Sequence, residues 1–201
     1  MKSNILLVLL IVIVLYCHQP NQQDKMRDIN QFVKSEIEKW KKELLISGDV
    51  GGPCEDDYAK WNEKYPESYY GLPDTIQFKT VDMNDDGKDD ILLYFPAGEA
   101  CTGGHEEGSD FLKLIYSSKN EYLQNNDLRA TIEKEIRFLS NRQTGAFSRR
   151  AIFSVTNIDK QIKGTFQVWT DDDPDCCAGY EGTFEYNPFT WKMELKQHKV
   201  Q

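Results

Sequence analysis

The chain has 201 residues, of which 39% are apolar and 28% charged, and it carries a formal net charge of −9. That length suits one domain with a sizeable core and is cramped for two. An aromatic content of 12% excludes disorder as a description of the whole chain. The acidic balance excludes the basic face that non-specific nucleic-acid binding or adhesion to anionic headgroups needs.

Lys2 precedes thirteen apolar residues, "ILLVLLIVIVLYC", and the chain then turns polar. The run is short of the ~20 residues that span a bilayer and suits a secretory signal. Ending in Cys17, it resembles a bacterial lipoprotein signal, whose cysteine is lipidated and becomes the mature N-terminus. The resemblance implies export to the periplasm or cell surface, with the membrane touched only through an N-terminal lipid; the alternative is an uncleaved N-terminal anchor. The expected organisation is a signal over 1–17, a tether over 18–26 and a single domain over 27–201.

Export changes how the other cysteines read. Cys54, Cys101, Cys176 and Cys177 are an even set in an oxidising compartment. A bridge between the adjacent pair is sterically awkward, so Cys176 and Cys177 are each expected to pair with Cys54 or Cys101. A zinc site from Cys101, His105, Cys176 and Cys177 competes, but no CxxC spacing supports it.

Residues 27–46 predict an amphipathic helix. Ile29, Phe32, Val33, Ile37, Trp40, Leu44 and Leu45 share one face, while Lys34, Glu36, Lys39, Lys41 and Glu43 occupy the other, and Gly48 is placed to end it. The mixed signs of the polar face fit a helix lying on the protein's own sheet better than one lying on a membrane. A Gly-, Pro- and Tyr-rich connection follows, with a short helical turn expected around Asp57 to Lys64.

From residue 75 the pattern becomes strands: "TIQFKTV" (75–81), "ILLYF" (91–95), "FLKLIY" (111–116), "AIFSVT" (151–156), "GTFQVWT" (164–170), "GTFEYN" (182–187) and "FTWKMEL" (189–195). The stretch 128–140 fits a helix through Leu128, Ile132, Ile136 and Leu139, yet a strand remains open. Short spacings favour an antiparallel meander. The expected fold class is therefore α+β: an N-terminal amphipathic helix packed on an antiparallel sheet, stapled by disulfides.

The stretch "VDMNDDGKDDILLYF" (81–95) carries the strongest chemical signal. A hard dication such as calcium takes roughly six to eight oxygens, and a short loop supplies them at alternate positions. Counting Asp82 as position 1 puts Asn84 at 3, Asp86 at 5, Lys88 at 7 and Asp90 at 9. Gly87 then falls at the sharp turn, where a Cβ is unwelcome. Lys88 can serve only through its carbonyl. An ordinary hairpin turn has no reason to gather Asp82, Asp85, Asp86, Asp89 and Asp90, whose charges repel until a cation neutralises them. The alternative is a solvated acidic turn. Position 12 is Leu93 rather than a bidentate glutamate, so the loop is not an EF-hand. It resembles instead the calcium-binding hairpin loops of FG-GAP or integrin-α-type repeats, in a single copy. That resemblance implies Asp82, Asn84, Asp86, Asp90 and the Lys88 carbonyl as ligands.

A second stretch, "DDDPDCC" (171–177), resembles an Asp-Pro-x-Cys-Cys-Pro-Ser turn of small bacterial lipoproteins, which implies no activity. No catalytic constellation stands out. Of three histidines, His18 lies in the tether and His198 near the C-terminus, and His105 sits in "CTGGHEEGSD". The carboxylates Glu99, Glu106, Glu107 and Asp171 to Asp173 are too ordinary a set to select a hydrolase. The expected function is a non-enzymatic, calcium-binding, exported module that presents a surface to a protein or glycan partner. The alternatives are a calcium-dependent hydrolase and a purely structural, inhibitor or immunity-type protein.

Overall fold

The computed structural model describes residues 22–53, 58–66, 70–97, 108–118, 121–125 and 128–200. The first helix, α1, spans Gln22–Ser47, so residues 22–26 of the expected tether are helical. The signal, Cys17, Cys54 and Cys101 lie outside the described residues.

The chain divides into two compact units, Met1–Lys39 and Trp40–Gln201. In the first, the described residues are helix, with Glu36 and Lys39 paired at 3.8 Å one turn apart. The second holds everything else. After α1 comes the short helix α2 (Tyr58–Lys64), followed by β1 (Gln77–Val81), β2 (Asp90–Phe95), β3 (Phe111–Ser118) and β4 (Glu121–Asn125). Helix α3 (Leu128–Thr144) then leads to β5 (Ser148–Ile158), β6 (Ile162–Thr170), β7 (Tyr180–Asn187) and β8 (Lys192–Lys199).

The strands form two four-stranded antiparallel sheets, ordered β1-β2-β3-β4 and β5-β6-β7-β8. This corrects the expected fold of one helix on a single disulfide-stapled meander. The short spacings that argued for a meander exist only within each half of the run. Between β4 and β5, α3 ends one sheet and starts the other, and its Leu128, Ile132 and Ile136 are fully buried. The staple is corrected as well: no disulfide joins described residues, and Cys176 and Cys177 are both exposed.

One core lies between the sheets and α3. Leu92, Leu112 and Leu114 from the first sheet meet Leu128, Ile132 and Ile136 from α3 and Phe153, Phe166, Val168 and Phe184 from the second sheet. The continuous apolar run of β2 is explained by burial on both faces, as a central strand requires. Leu92 faces the shared core, while Phe95 stacks on Phe111 at 4.5 Å and meets Trp40 of α1 at 5.5 Å. Across that face Lys113 is buried, and its Nζ donates to Glu43 Oε2 at 2.6 Å.

Three local readings shift. Within "TIQFKTV" the strand starts only at Gln77, and Phe78 is 42% exposed because β1 is an edge strand. The alternating run 189–195 becomes strand only at Lys192, since Trp191 sits in the left-handed region at φ 58° and leaves its ring exposed. Strand β4 carries no alternating apolar signal, and pairing with β3 makes it.

Strands β7 and β8 approach closely at Gly182, opposite Gln197. A Cβ there meets the Lys196 carbonyl oxygen at 2.0 Å and Gln197 Cα at 2.9 Å, both backbone atoms of the paired strand. Gly182→Ala is expected to cost about 3 kcal/mol, since the ladder itself must move, and urea unfolding checks it.

Candidate functional site

The hairpin between β1 and β2 closes with Val81 opposite Asp90, and the loop between them is residues 82–89. Met83 is buried in the shared core and anchors the loop. The sharp turn needs two left-handed residues, Asp85 at φ 60° and Gly87 at φ 83°. A Cβ at Gly87 has nothing within 4 Å, so conformation rather than crowding calls for glycine there.

Every carboxylate or amide that the sequence nominated as a side-chain ligand turns toward the loop's own backbone. Asp82 accepts the Asp86 amide at 3.1 Å on Oδ1 and the Gly87 amide at 2.9 Å on Oδ2. Asn84 Oδ1 also accepts the Asp86 amide, at 3.0 Å, and Asp86 Oδ1 accepts the Lys88 amide at 2.9 Å. Asp90 is fully buried, and takes the Met83 amide at 3.0 Å and the Ser117 amide at 2.9 Å. Lys88 and Asp89 are exposed.

Two partners were not legible in the sequence. Ser117, at the end of β3, gives its amide to Asp90 and its hydroxyl to Asp86 at 3.3 Å, so the neighbouring strand closes one side of the loop. Lys160, in the β5–β6 turn, ion-pairs with Asp85 from the second sheet. Neither has a local signal, because both are brought in by sheet pairing and by packing of the halves.

The electrostatics follow from this crowding. Burial pushes the Asp90 carboxyl above the ordinary 3.8; the Ser117 and Met83 amides oppose this, and the charges of Asp86 and Asp82 add to it. Asp85 raises the Lys160 ammonium above 10.5 through its hydrogen bond and its charge. Among the described residues no group of three His, Cys, Asp or Glu is gathered onto a common centre. Each carboxylate nonetheless keeps acceptor capacity beyond the amides it binds, and mutual repulsion among Asp82, Asp86 and Asp90 is what a hard cation relieves. The donor set, all oxygen, fits calcium and not a soft metal.

The second stretch, 171–177, is a pinned turn. Asp173 Oδ2 accepts the Thr170 amide at 2.6 Å and the Thr170 hydroxyl at 2.8 Å, which holds its carboxyl below 3.8. Arg149 reaches the Asp175 carboxylate at 2.6 Å, the Asp173 carbonyl at 2.8 Å and the Thr170 carbonyl at 3.1 Å. The turn thus keeps its shape through Arg149 and Asp173. Of the other nominated groups, Glu99, Glu106, Glu107 and His105 lie outside the described residues, and His198 pairs with Glu181 at 3.1 Å on the second sheet.

No family model, curated protein or solved structure matches the chain.

Proposed function

We propose that the protein is an exported, lipid-anchored, non-enzymatic module that binds calcium in the β1–β2 loop and presents a surface to a protein or glycan partner. The observation that carries this reading is the buried Asp90 carboxyl, raised by burial and by the charges of Asp86 and Asp82 at the base of the loop. Such a set stores repulsion that a dication removes. Asp82, Asn84, Asp86, Asp90 and the Lys88 carbonyl would hold the ion, as the resemblance to FG-GAP-type loops implies. When bound, calcium supplies charge neutralisation and stiffens the hairpin.

Export and lipidation rest on the run that ends at Cys17. Among the described residues no helix is long and apolar enough to cross a membrane, and the proposed attachment is the N-terminal lipid or anchor alone. The acidic balance argues against nucleic acid as the partner. The non-enzymatic reading is supported by the structural use of Asp173 in the turn that Arg149 holds.

Calorimetric titration tests the site. One saturable calcium ion is expected, bound more tightly than magnesium and lost in Asp82→Ala/Asp86→Ala. Absence of calcium heat in the parent protein overturns the proposal.

A further inference from the structure

On a chain of net charge −9, the outward side of α3 runs against the balance. Leu128, Ile132, Ile136 and Ser140 are the buried face of the helix. At roughly 3.6 residues per turn, the opposite side carries Ala130, Lys134, Arg137, Phe138, Asn141 and Arg142. Lys134 and Arg142 are exposed and Arg137 is half-buried. Among the described residues none of these three cations is ion-paired. The acids of the helix lie to either side of them: Glu133 pairs with Arg129 at 3.6 Å. Glu135 lies near Tyr186 of β7, whose hydroxyl is pushed up to about 12 by burial and by the Glu135 charge.

Phe138 stands among the cations, 52% exposed, with the Arg142 guanidinium over its ring at 5.7 Å. The Ser148 amide donates to Asn141 Oδ1 at 2.7 Å, which folds the chain back along the helix. That return brings Phe147, 67% exposed, beside the last turns of α3. Aromatic rings and arginines exposed together are the side chains that protein interfaces favour at their centres.

Shape and charge select the occupant. Lys134, Phe138 and Arg142 are spaced four apart and form one ridge, which seats in the groove of a second helix. A second copy of α3 would set these cations against themselves. A bilayer is flat and would face the acidic surface around the ridge as well, so the net charge opposes it. A helix touches the ridge alone.

We propose that the outer ridge of α3 docks an acidic amphipathic helix of a partner protein. Apolar residues of that helix pack on Phe138 and Phe147, and carboxylates beside them face Lys134, Arg137 and Arg142. The inference rests on the reading that the protein presents a surface to a protein partner, and it names that surface and the partner's chemistry. The calcium loop is not part of it.

The test is fluorescence anisotropy of a labelled synthetic helix titrated with the full chain in chelator. The helix has about 20 residues, long enough to fold alone, with a stripe of leucines flanked by glutamates. Saturable binding is expected, weakened by salt and lower by roughly tenfold or more when the glutamates are replaced by glutamines. Phe138→Gln is expected to abolish binding, and Lys134→Gln/Arg142→Gln to weaken it by roughly tenfold. Both variants should keep the parent melting temperature, because these side chains are exposed. No saturable binding, equal binding of the glutamine peptide, or binding unchanged in the variants overturns the proposal. Phosphatidylglycerol vesicles and sedimentation of the chain alone are run alongside. Adsorption or self-association that Phe138→Gln removes, with no binding of the acidic helix, assigns the ridge to a lipid surface or a second copy and overturns it too. The chelator keeps this outcome separate from the calcium titration, whose failure leaves the docking ridge standing.

Discussion

Glu43→Ala should destabilise the protein by about 3 kcal/mol, whereas Lys113→Met should leave stability unchanged or raise it. Lys113 is fully buried on β3 opposite Leu93, and Glu43 on α1 is its ion-pair partner at 2.6 Å. Removing the carboxylate strands an ammonium beneath the helix, which is the costly way to break a buried pair. The estimate is at the low end because the Glu43 side chain is 37% exposed and water screens part of the pair. Replacing the lysine with an apolar side chain of similar length removes the desolvation cost along with the attraction. Thermal unfolding reads the asymmetry: a drop of roughly 6–12 °C for Glu43→Ala and none for Lys113→Met. Equal losses in the two variants would show that the ion pair itself, rather than burial of the lysine, stabilises the helix on the sheet.

Asp90→Ala should be more damaging still, at about 4 kcal/mol. The Met83 and Ser117 amides both donate to this carboxylate inside the protein, and each loses its acceptor. Asp90→Asn keeps one acceptor and should cost about 1–2 kcal/mol near neutral pH. The pH dependence has a definite sign. The native carboxyl holds its proton to higher pH than the ordinary 3.8 of the unfolded chain. Between those values the native state binds more protons than the unfolded one, so ionisation of Asp90 lowers stability as pH rises through the window. Urea unfolding at a series of pH values should show this slope in the parent and not in Asp90→Asn. Calcium should shrink it by holding Asp90 ionised.

Local chemistry was legible where the chain itself supplies it. The alternating Asp and Asn of 82–90 read as a calcium loop with Gly87 at its sharp turn; Gly87 does take a positive φ, and Asp85, which the sequence did not single out, takes one as well. The apolar stripe of Leu128, Ile132 and Ile136 is the buried face of α3. What the sequence could not carry is pairing at a distance. The strand spacings looked alike on both sides of α3, so two sheets read as one. The β4 stretch "EYLQN" has little apolar pattern, and its partner β3 decides its state. Ser117 and Lys160 reach the loop only after β3 has paired with β2 and the β5–β6 turn has come alongside. The expected disulfides came from counting cysteines in an oxidising compartment; Cys176 and Cys177 stand exposed on a turn that Arg149 and Asp173 pin, and Cys54 and Cys101 lie outside the described residues.

A thermal melt in chelator and then in millimolar calcium, with magnesium as control and Asp82→Ala/Asp86→Ala alongside, tests the calcium reading most directly. Binding to the native state alone stabilises by about 2.7 kcal/mol at a hundredfold excess over the dissociation constant. For a domain of this size that is a rise of roughly 5–10 °C, specific to calcium and absent from the double variant. Identical melting temperatures in chelator and calcium would mean that Asp82, Asn84, Asp86 and Asp90 form a self-contained polar turn, and the calcium module would be contradicted.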